Sequence, residues 1–251
     1  MTAPVFLLEC GELDTASHAA VIEVGGDEGR HGGAVRRLRS GEICHLVDGA
    51  GRRVTGSVID SDRSGFRIEV LDVRDEPEPT PRIVVVQALA KGDRAESAVE
   101  MLTECGVDVI VPWSAGRSVS VWRGDKAERG VERWRAVGRA ATKQSRRSRL
   151  PAILDLHDSR AVADLIAGAD LAIVLHEAAD EPLTAATDLS RLRDVVIVVG
   201  PEGGISDEEL ALFRDAGARV VGLGPTVLRT STAGVVAAGV LSAASGRWER
   251  R

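Results

Sequence analysis

The residues best placed to do chemistry in this 251-residue chain lie in three loops, each of which follows an apolar, strand-like run. Gly200-Pro201-Glu202-Gly203-Gly204 comes after VVIVV and leads into Ile205-Ser206-Asp207-Glu208-Glu209, where Ser206 can cap a helix and Glu209 can complete a capping box. Its glycines and fixed proline leave backbone N–H and C=O groups open at a strand end, and the acid beside them can accept from a ligand. For one glycine pair taken alone, a bare strand-to-helix turn is the alternative. Leu223-Gly224-Pro225-Thr226-Val227-Leu228-Arg229-Thr230-Ser231-Thr232-Ala233 follows the last strand-like run and enters a helix of small residues, AGVVAAGVLSAA, whose narrow surface lets backbones pack closely. The third loop begins at Leu175-His176-Glu177. Alone, His176 reads as a packed structural histidine. At three strand ends of one sheet, the loops together read as one ligand site.

Those loops need a sheet to carry them. Apolar runs at Ile83 to Leu89, Val107 to Val111, Ala152 to Asp155, Leu171 to Leu175, Val195 to Gly200 and Arg219 to Leu223 alternate with helical stretches. The helices are expected at Arg94 to Cys105, Lys126 to Ser145, Arg160 to Ala167, Asp207 to Ala216 and Thr230 to Ser245. Such alternation predicts a mainly parallel sheet covered on both faces, with ligands bound beyond the carboxyl ends of its strands. Upstream, RDEPEPTP at Arg74 to Pro81 carries three prolines and three acids and can continue neither a helix nor a central strand. A domain boundary there gives domains 1–74 and 82–251. Before it, Val5 to Leu8, Glu42 to Val47, Arg53 to Ile59 and Phe66 to Val73 are short strand-like runs, two of them joined by the turn Asp48-Gly49-Ala50-Gly51. They read as a small β-barrel.

Composition narrows the classes. With 44% hydrophobic and 28% charged residues the chain is an ordinary globular protein and neither disordered nor fibrous. The longest apolar runs, Ile83 to Ala90 and Val195 to Val199, fall far short of the roughly 20 residues of a membrane span, and no secretory leader is visible. A cytoplasmic, membrane-free protein is expected. Cys10, Cys44 and Cys105 are odd in number and widely separated, so reduced packing residues and no metal site are expected. The net charge of −6 argues against indiscriminate binding to nucleic acid. Its distribution says more. Arg133 to Leu150 holds seven basic residues and no acid, and Gly29 to Gly41 holds four arginines plus His31 and no acid. From Val131, Arg135, Arg139, Lys143 and Arg147 recur at helical spacing, with Trp134, Val137 and Ala141 as the buried stripe. A solvated face is the ordinary meaning of such a stripe, but the lack of balancing acids points to phosphate.

Taken together, these motifs make the chain resemble the RsmE-type ribosomal RNA uracil-N3 methyltransferases of the SPOUT superfamily. The likeness rests on LHE at 175–177, GPEGGIS at 200–206 and LGPTVLRTSTA at 223–233, with KGDRAESAVEMLTECGV at 91–107, GRS around Arg117, RWRAVGRAATKQSRR at 133–147 and RHGGAVRRLRSGE at 30–42. It implies an α/β fold with a SPOUT-type mainly parallel sheet and a C-terminal trefoil knot, preceded by a small PUA-like β-barrel that binds RNA. Knots are otherwise nearly absent from proteins, and periodicity alone would not predict one. It further implies S-adenosyl-L-methionine as cofactor, 16S ribosomal RNA or the small ribosomal subunit as partner, and a homodimer. The implied cofactor loops comprise Leu175, His176 and Glu177; Gly200, Pro201, Glu202, Gly203 and Gly204; and Leu223, Gly224, Val227, Leu228, Thr230, Ser231, Thr232 and Ala233. Two departures stand out: the family commonly reads LRTET where this chain has LRTST, so Ser231 lacks a carboxylate, and a common lysine is Met101 here.

Methyl transfer from a sulfonium needs no metal and mostly asks the protein to position two partners. N3 of uracil is protonated at neutral pH, and once the proton leaves, charge spreads onto the flanking carbonyl oxygens. Arg229 beside the cofactor loop is the candidate cation, with a loop salt bridge as its structural alternative. Glu202 is a candidate base or acceptor; with no tyrosine in the chain, a phenolate base is excluded. Because N3 lies on the pairing edge, the target must be unpaired or flipped. Expected RNA contacts are Arg30, His31, Arg36, Arg37 and Arg39 from the barrel, Arg117 near the pocket, and Arg135, Arg139, Lys143, Gln144 and Arg147. The rivals are a SPOUT enzyme acting on a ribose hydroxyl or a transfer-RNA guanine, and a non-catalytic RNA-binding relative.

Overall fold

Runs such as VVIVV and RIVVV are rich in β-branched residues, which fit a pleated surface buried on both faces. In the computed structural model, which describes residues 3–185, 189 and 192–249, they form one parallel sheet. Its strands are β6 (Arg82–Ala88), β7 (Val109–Trp113), β8 (Ala152–Ile153), β9 (Leu171–Leu175), β10 (Asp194–Val199) and β11 (Arg219–Val221), in the order β11-β9-β10-β6-β7-β8. Alternate side chains enter two cores. Ile83, Val85, Val195 and Ile197 face one side with Leu102, Trp134 and Leu241; Val84, Val86, Val196 and Val198 face the other with Val162, Ile166 and Phe213.

Five helices cover these faces: α2 (Arg94–Cys105), α3 (Asp125–Ser145), α4 (Ser159–Ala167), α5 (Asp207–Asp215) and α6 (Thr230–Ala244). Their starts follow local rules. Asp158 caps α4 by accepting from the N–H groups of Arg160 and Ala161, and Ser206 with Glu209 forms the expected capping box of α5. Small residues let α6 lie against α2 and the sheet, with Ala237 and Ala238 fully buried. Past its end, nearly buried Arg247 pairs with Asp108 at 2.5 Å and donates to the Gly106 carbonyl at 2.8 Å. None of the described helices is long and apolar enough to cross a membrane.

The chain divides into two units, Met1–Glu78 with Thr142–Leu150, and Pro79–Ala141 with Pro151–Arg251. In the first, β1 (Val5–Leu7), β2 (Val21–Val24), β3 (Ile43–Val47), β4 (Arg52–Ser61) and β5 (Phe66–Asp75) form a curled sheet in the order β1-β3-β4-β5-β2 around Phe6, Leu46, Val54, Phe66 and Ile68. The sequence missed β2, whose VIEV is short and carries an exposed glutamate. It also missed the helical passage formed by α1 (Gly26–Arg30) and the wide turn His31–Arg36, which ends at Arg37 in the left-handed region. Within this unit the Thr142–Leu150 segment is tied by charge: Ser148 and Arg53 both donate to Glu76, and Lys143 meets Glu28 at 2.5 Å.

Candidate active site

Register sets the site. Leu175 pairs with Val199 on one side and Val221 on the other, so β9, β10 and β11 end at one level and their loops leave the sheet side by side. They enclose a cavity of about 470 Å³ lined by Leu175 to Glu177, Val199 to Ile205, and Leu223 to Thr230 with Ala233, together with Arg94 and Arg117. That volume suits a small-molecule ligand. Two predicted residues stand apart. Ser231 and Thr232 do not line the cavity; they lie in the first turn of α6, where Ser231 is buried and Thr232 donates back to the Arg229 carbonyl.

Each loop is fastened by polar contacts. Thr230 donates to the Gly200 carbonyl at 2.7 Å and accepts from fully buried Gln87 at 3.0 Å, locking the start of α6 to the end of β10. Glu202 accepts from the Lys91 N–H at 3.2 Å and faces Arg94 at 3.7 Å. The ring of His176 accepts from the Ala178 N–H at 3.2 Å, so this histidine shapes its own turn. Buried Glu209 does more than cap α5: it also accepts from the Gly116 N–H at 2.8 Å and the Ser159 hydroxyl at 2.7 Å, pinning the loop that carries Arg117 against the glycine loop. The approach there is close. A Cβ on Gly203 would stand 2.8 Å from the Arg117 carbonyl oxygen, and Gly204 turns the chain at φ +74°.

Arg229 is exposed in the cavity wall and has no ion-pair partner among the described residues. The sequence did not single out Arg94, nor the wider bonding of Glu209, whose partners lie 93 and 50 residues away in the chain. Capping-box spacing revealed the local half of Glu209 alone.

The RNA-contact candidates divide. Arg36, Arg37 and Arg39 are exposed, without ion pairs among the described residues; Arg30 pairs with Asp27, and the His31 ring packs edge-on to Phe6 at 6.1 Å. On α3 the stripe is not acid-free once folded. Arg135 meets Glu132 at 2.6 Å and Asp155 at 3.2 Å, and Lys143 is held by Glu28. Arg139 and Gln144 are exposed, while Arg147 lies beyond the helix end and is half-buried.

The sequence profile of the RNA methyltransferase domain matches residues 76–242, which contain every strand of the parallel sheet and all three loops. Over 234 residues the chain is 43% identical to the ribosomal RNA small subunit methyltransferase E of Mycobacterium tuberculosis, covering 92% of this chain and 89% of the relative. The chain belongs to the ribosomal RNA small subunit methyltransferase E family. The Bacillus subtilis protein of the same name is 27% identical over 233 residues, 89% of this chain and 90% of that one. Among solved structures, a Legionella pneumophila protein in complex with bound SAM matches with a TM-score of 0.83 and 27% identity, covering 97% of this chain and 98% of the other. The Neisseria gonorrhoeae ribosomal RNA small subunit methyltransferase E, bound to S-adenosyl methionine, shares the fold at a TM-score of 0.84 and 24% identity, over 96% of this chain and 98% of that one. For this member of the methyltransferase E family, the likeness therefore runs through both units.

Proposed function

We propose that this chain methylates N3 of one uridine in small-subunit (16S) ribosomal RNA, with S-adenosylmethionine held by the loops at Leu175, Gly200 and Leu223. The observation that carries this reading is the convergence of those loops on one cavity with unspent backbone donors. Gly224, Thr226, Val227 and Leu228 line it and their N–H groups donate to no other described residue, while Leu175, Val199, Leu223 and Leu228 supply apolar wall. A planar, polar-edged adenosyl group fits that donor set. Bound there, S-adenosylmethionine supplies a methyl group already activated on a sulfonium.

The protein's own part is positional and electrostatic. Arg229 presents two parallel N–H bonds to the planar edge on which charge gathers once N3 has lost its proton. Glu202 spends Oε1 on Lys91 and Arg94, which fixes the loop, and keeps Oε2 free of other described residues to accept from ligand or from N3–H. RNA backbone contact comes from Arg36, Arg37 and Arg39, from Arg117, and from Arg139 and Gln144 on α3. The same reading carries a PUA-like first unit on residues 1–74, a catalytic domain on 82–251 with a knotted C-terminal segment, a cytoplasmic setting and a homodimer. For the dimer, α6 leaves Val236 and Val240 exposed on successive turns, with Trp248 nearby in sequence also exposed.

Incubation with small-subunit ribosomal RNA or whole small subunits and labelled S-adenosylmethionine tests the proposal. Methylation at N3 blocks pairing, so a new cofactor-dependent reverse-transcription stop at a uridine is the expected result. Label in ribose would move the reading to a different RNA position, and cofactor binding without transfer would leave a non-catalytic RNA binder.

A further inference from the structure

Between Ser114 and Gly124 the chain passes from β7 to α3 with neither helix nor strand, and exposure alternates along it. Arg117, Val119, Val121 and Arg123 are exposed, while Ser118, Ser120 and Trp122 are partly buried. Val119 keeps 64% and Val121 44% of its surface open. Alternation in an unpaired segment needs anchors, and both ends have one. At one end the Gly116 N–H is held by Glu209 and the Arg117 carbonyl abuts Gly203. At the other, Trp122 sits edge-on to fully buried Trp134 at 5.5 Å and covers Gly130, where a Cβ would come within 2.7 Å of the indole. The segment is fixed, yet both valines stay exposed.

A single exposed valine is ordinary. Two at alternate positions, bracketed by guanidinium groups that ion-pair with no described residue, make an apolar edge with cationic ends. Arg117 is in the cavity wall, and Val119 lies at most about 7 Å further along the chain. The charge pattern matches a nucleic-acid strand: phosphates for the two arginines, base faces for the stiff β-branched side chains between them.

We propose that Arg117–Arg123 is a strand-parting ridge, in which Val119 and Val121 fill the space vacated when the target nucleotide turns out of its stack and Arg117 and Arg123 hold the backbone on either side. The inference rests on the RNA-methylating reading above. N3 takes part in pairing, so reaching it costs unstacking and unpairing, and apolar wedges inserted between bases are a known way of offsetting that cost.

The test compares the full-length protein with its Val119→Ser, Val121→Ser double variant; both positions are exposed, and circular dichroism checks that the fold is kept. Small-subunit ribosomal RNA is offered either bare or annealed to an oligonucleotide complementary to the stretch around the uridine marked by the reverse-transcription stop. Annealing is expected to slow the double variant at least about tenfold more than it slows the parent. Arg123→Gln is expected to weaken binding to both forms and to lower the salt dependence by about one counterion. Equal slowing of parent and double variant overturns the ridge. So does a loss of dimer on sedimentation by the double variant, which would make the valines a contact between copies. No transfer by the parent to either form overturns the methyltransferase reading, and the ridge with it.

Discussion

Helix α3 and the loops at the ends of β9, β10 and β11 both carry arginines that look available in the sequence, and folding treats them oppositely. On α3, Arg135 is shared between Glu132 and Asp155, and Lys143 is taken by Glu28, 115 residues away in the chain. Around the cavity Glu202 is committed to the Lys91 N–H with Arg94, Glu209 behind it to Gly116 and Ser159, and exposed Glu177 pairs with no described residue, so Arg229 is left without a carboxylate among the described residues. The acid-free run at 133–150 is acid-free only in its own sequence. Freedom of a cation is a property of what folding brings beside it, which is why a dense basic run and a lone arginine can exchange the roles their sequences suggest.

The sharpest way to break this contrast is Arg229→Ala. If the guanidinium is held free to meet developing charge, kcat should fall about 10²- to 10³-fold, the range seen when one such donor is removed, while the Kd for S-adenosylmethionine barely moves. Isothermal titration and single-turnover methylation measure the two separately. Equal losses in both would show a residue spent on binding or folding, no different in kind from Arg135.

Next in size is Glu209→Ala. It removes the carboxylate half of the capping box, the bond accepted from the Ser206 N–H, and strands the Gly116 N–H and the Ser159 hydroxyl beside a buried position, so urea denaturation should show a loss of about 3 kcal/mol. Glu209→Gln, which still accepts, should lose less. A loss in the alanine variant below about 1 kcal/mol would mean that the cavity loops owe their order to something other than this carboxylate.

What could be read from the sequence follows the same division. Strand and helix positions in the second unit were legible because VVIVV, LAIVL and RIVVV are strongly patterned, and Ser206 with Glu209 announced a cap through local spacing. The three loops were legible as a set because each follows a strand that a parallel sheet must end on one edge. Contacts across 50 to 143 residues were not: Glu209 with Ser159, Gln87 with Thr230 and Lys143 with Glu28 depend on register and packing that no local pattern encodes. The first unit's Val21–Val24 was lost for a different reason: it is a four-residue edge strand with only Val24 buried and a weak period.

A direct test sets the two kinds of cation against each other on RNA. Replacing Arg36, Arg37 and Arg39 together by glutamine should weaken binding to small-subunit ribosomal RNA and lower the slope of log K against log salt by about 2 to 3. Replacing Arg135 and Lys143 by glutamine should change that slope by less than about 1, because those charges are already neutralised. Filter binding across a salt series reads both. A large slope change from the α3 pair would mean that RNA displaces its carboxylate partners, and the contrast would hold for the unbound protein alone.

The smallest expected effect concerns a cation that neighbours suppress. His45 is half-buried, its Nδ1 lies 3.0 Å from the Thr55 hydroxyl oxygen, and burial followed by the charges of Arg53 and Arg146 holds its pKa below the usual 6.5. The sign follows from proton counting. The folded chain keeps this imidazole neutral at pH values where the unfolded chain has already protonated it, so the contribution to stability is full above pH 6.5 and is lost as pH falls from there through the lowered folded value. His45→Gln should therefore flatten the stability profile on the acid side of 6.5 and leave the alkaline side nearly unchanged, as urea titrations at stepped pH would show. An unchanged acid slope would mean that the pair of Arg53 with Glu76 cancels its charge at His45 and that burial with Arg146 alone does not hold this imidazole neutral.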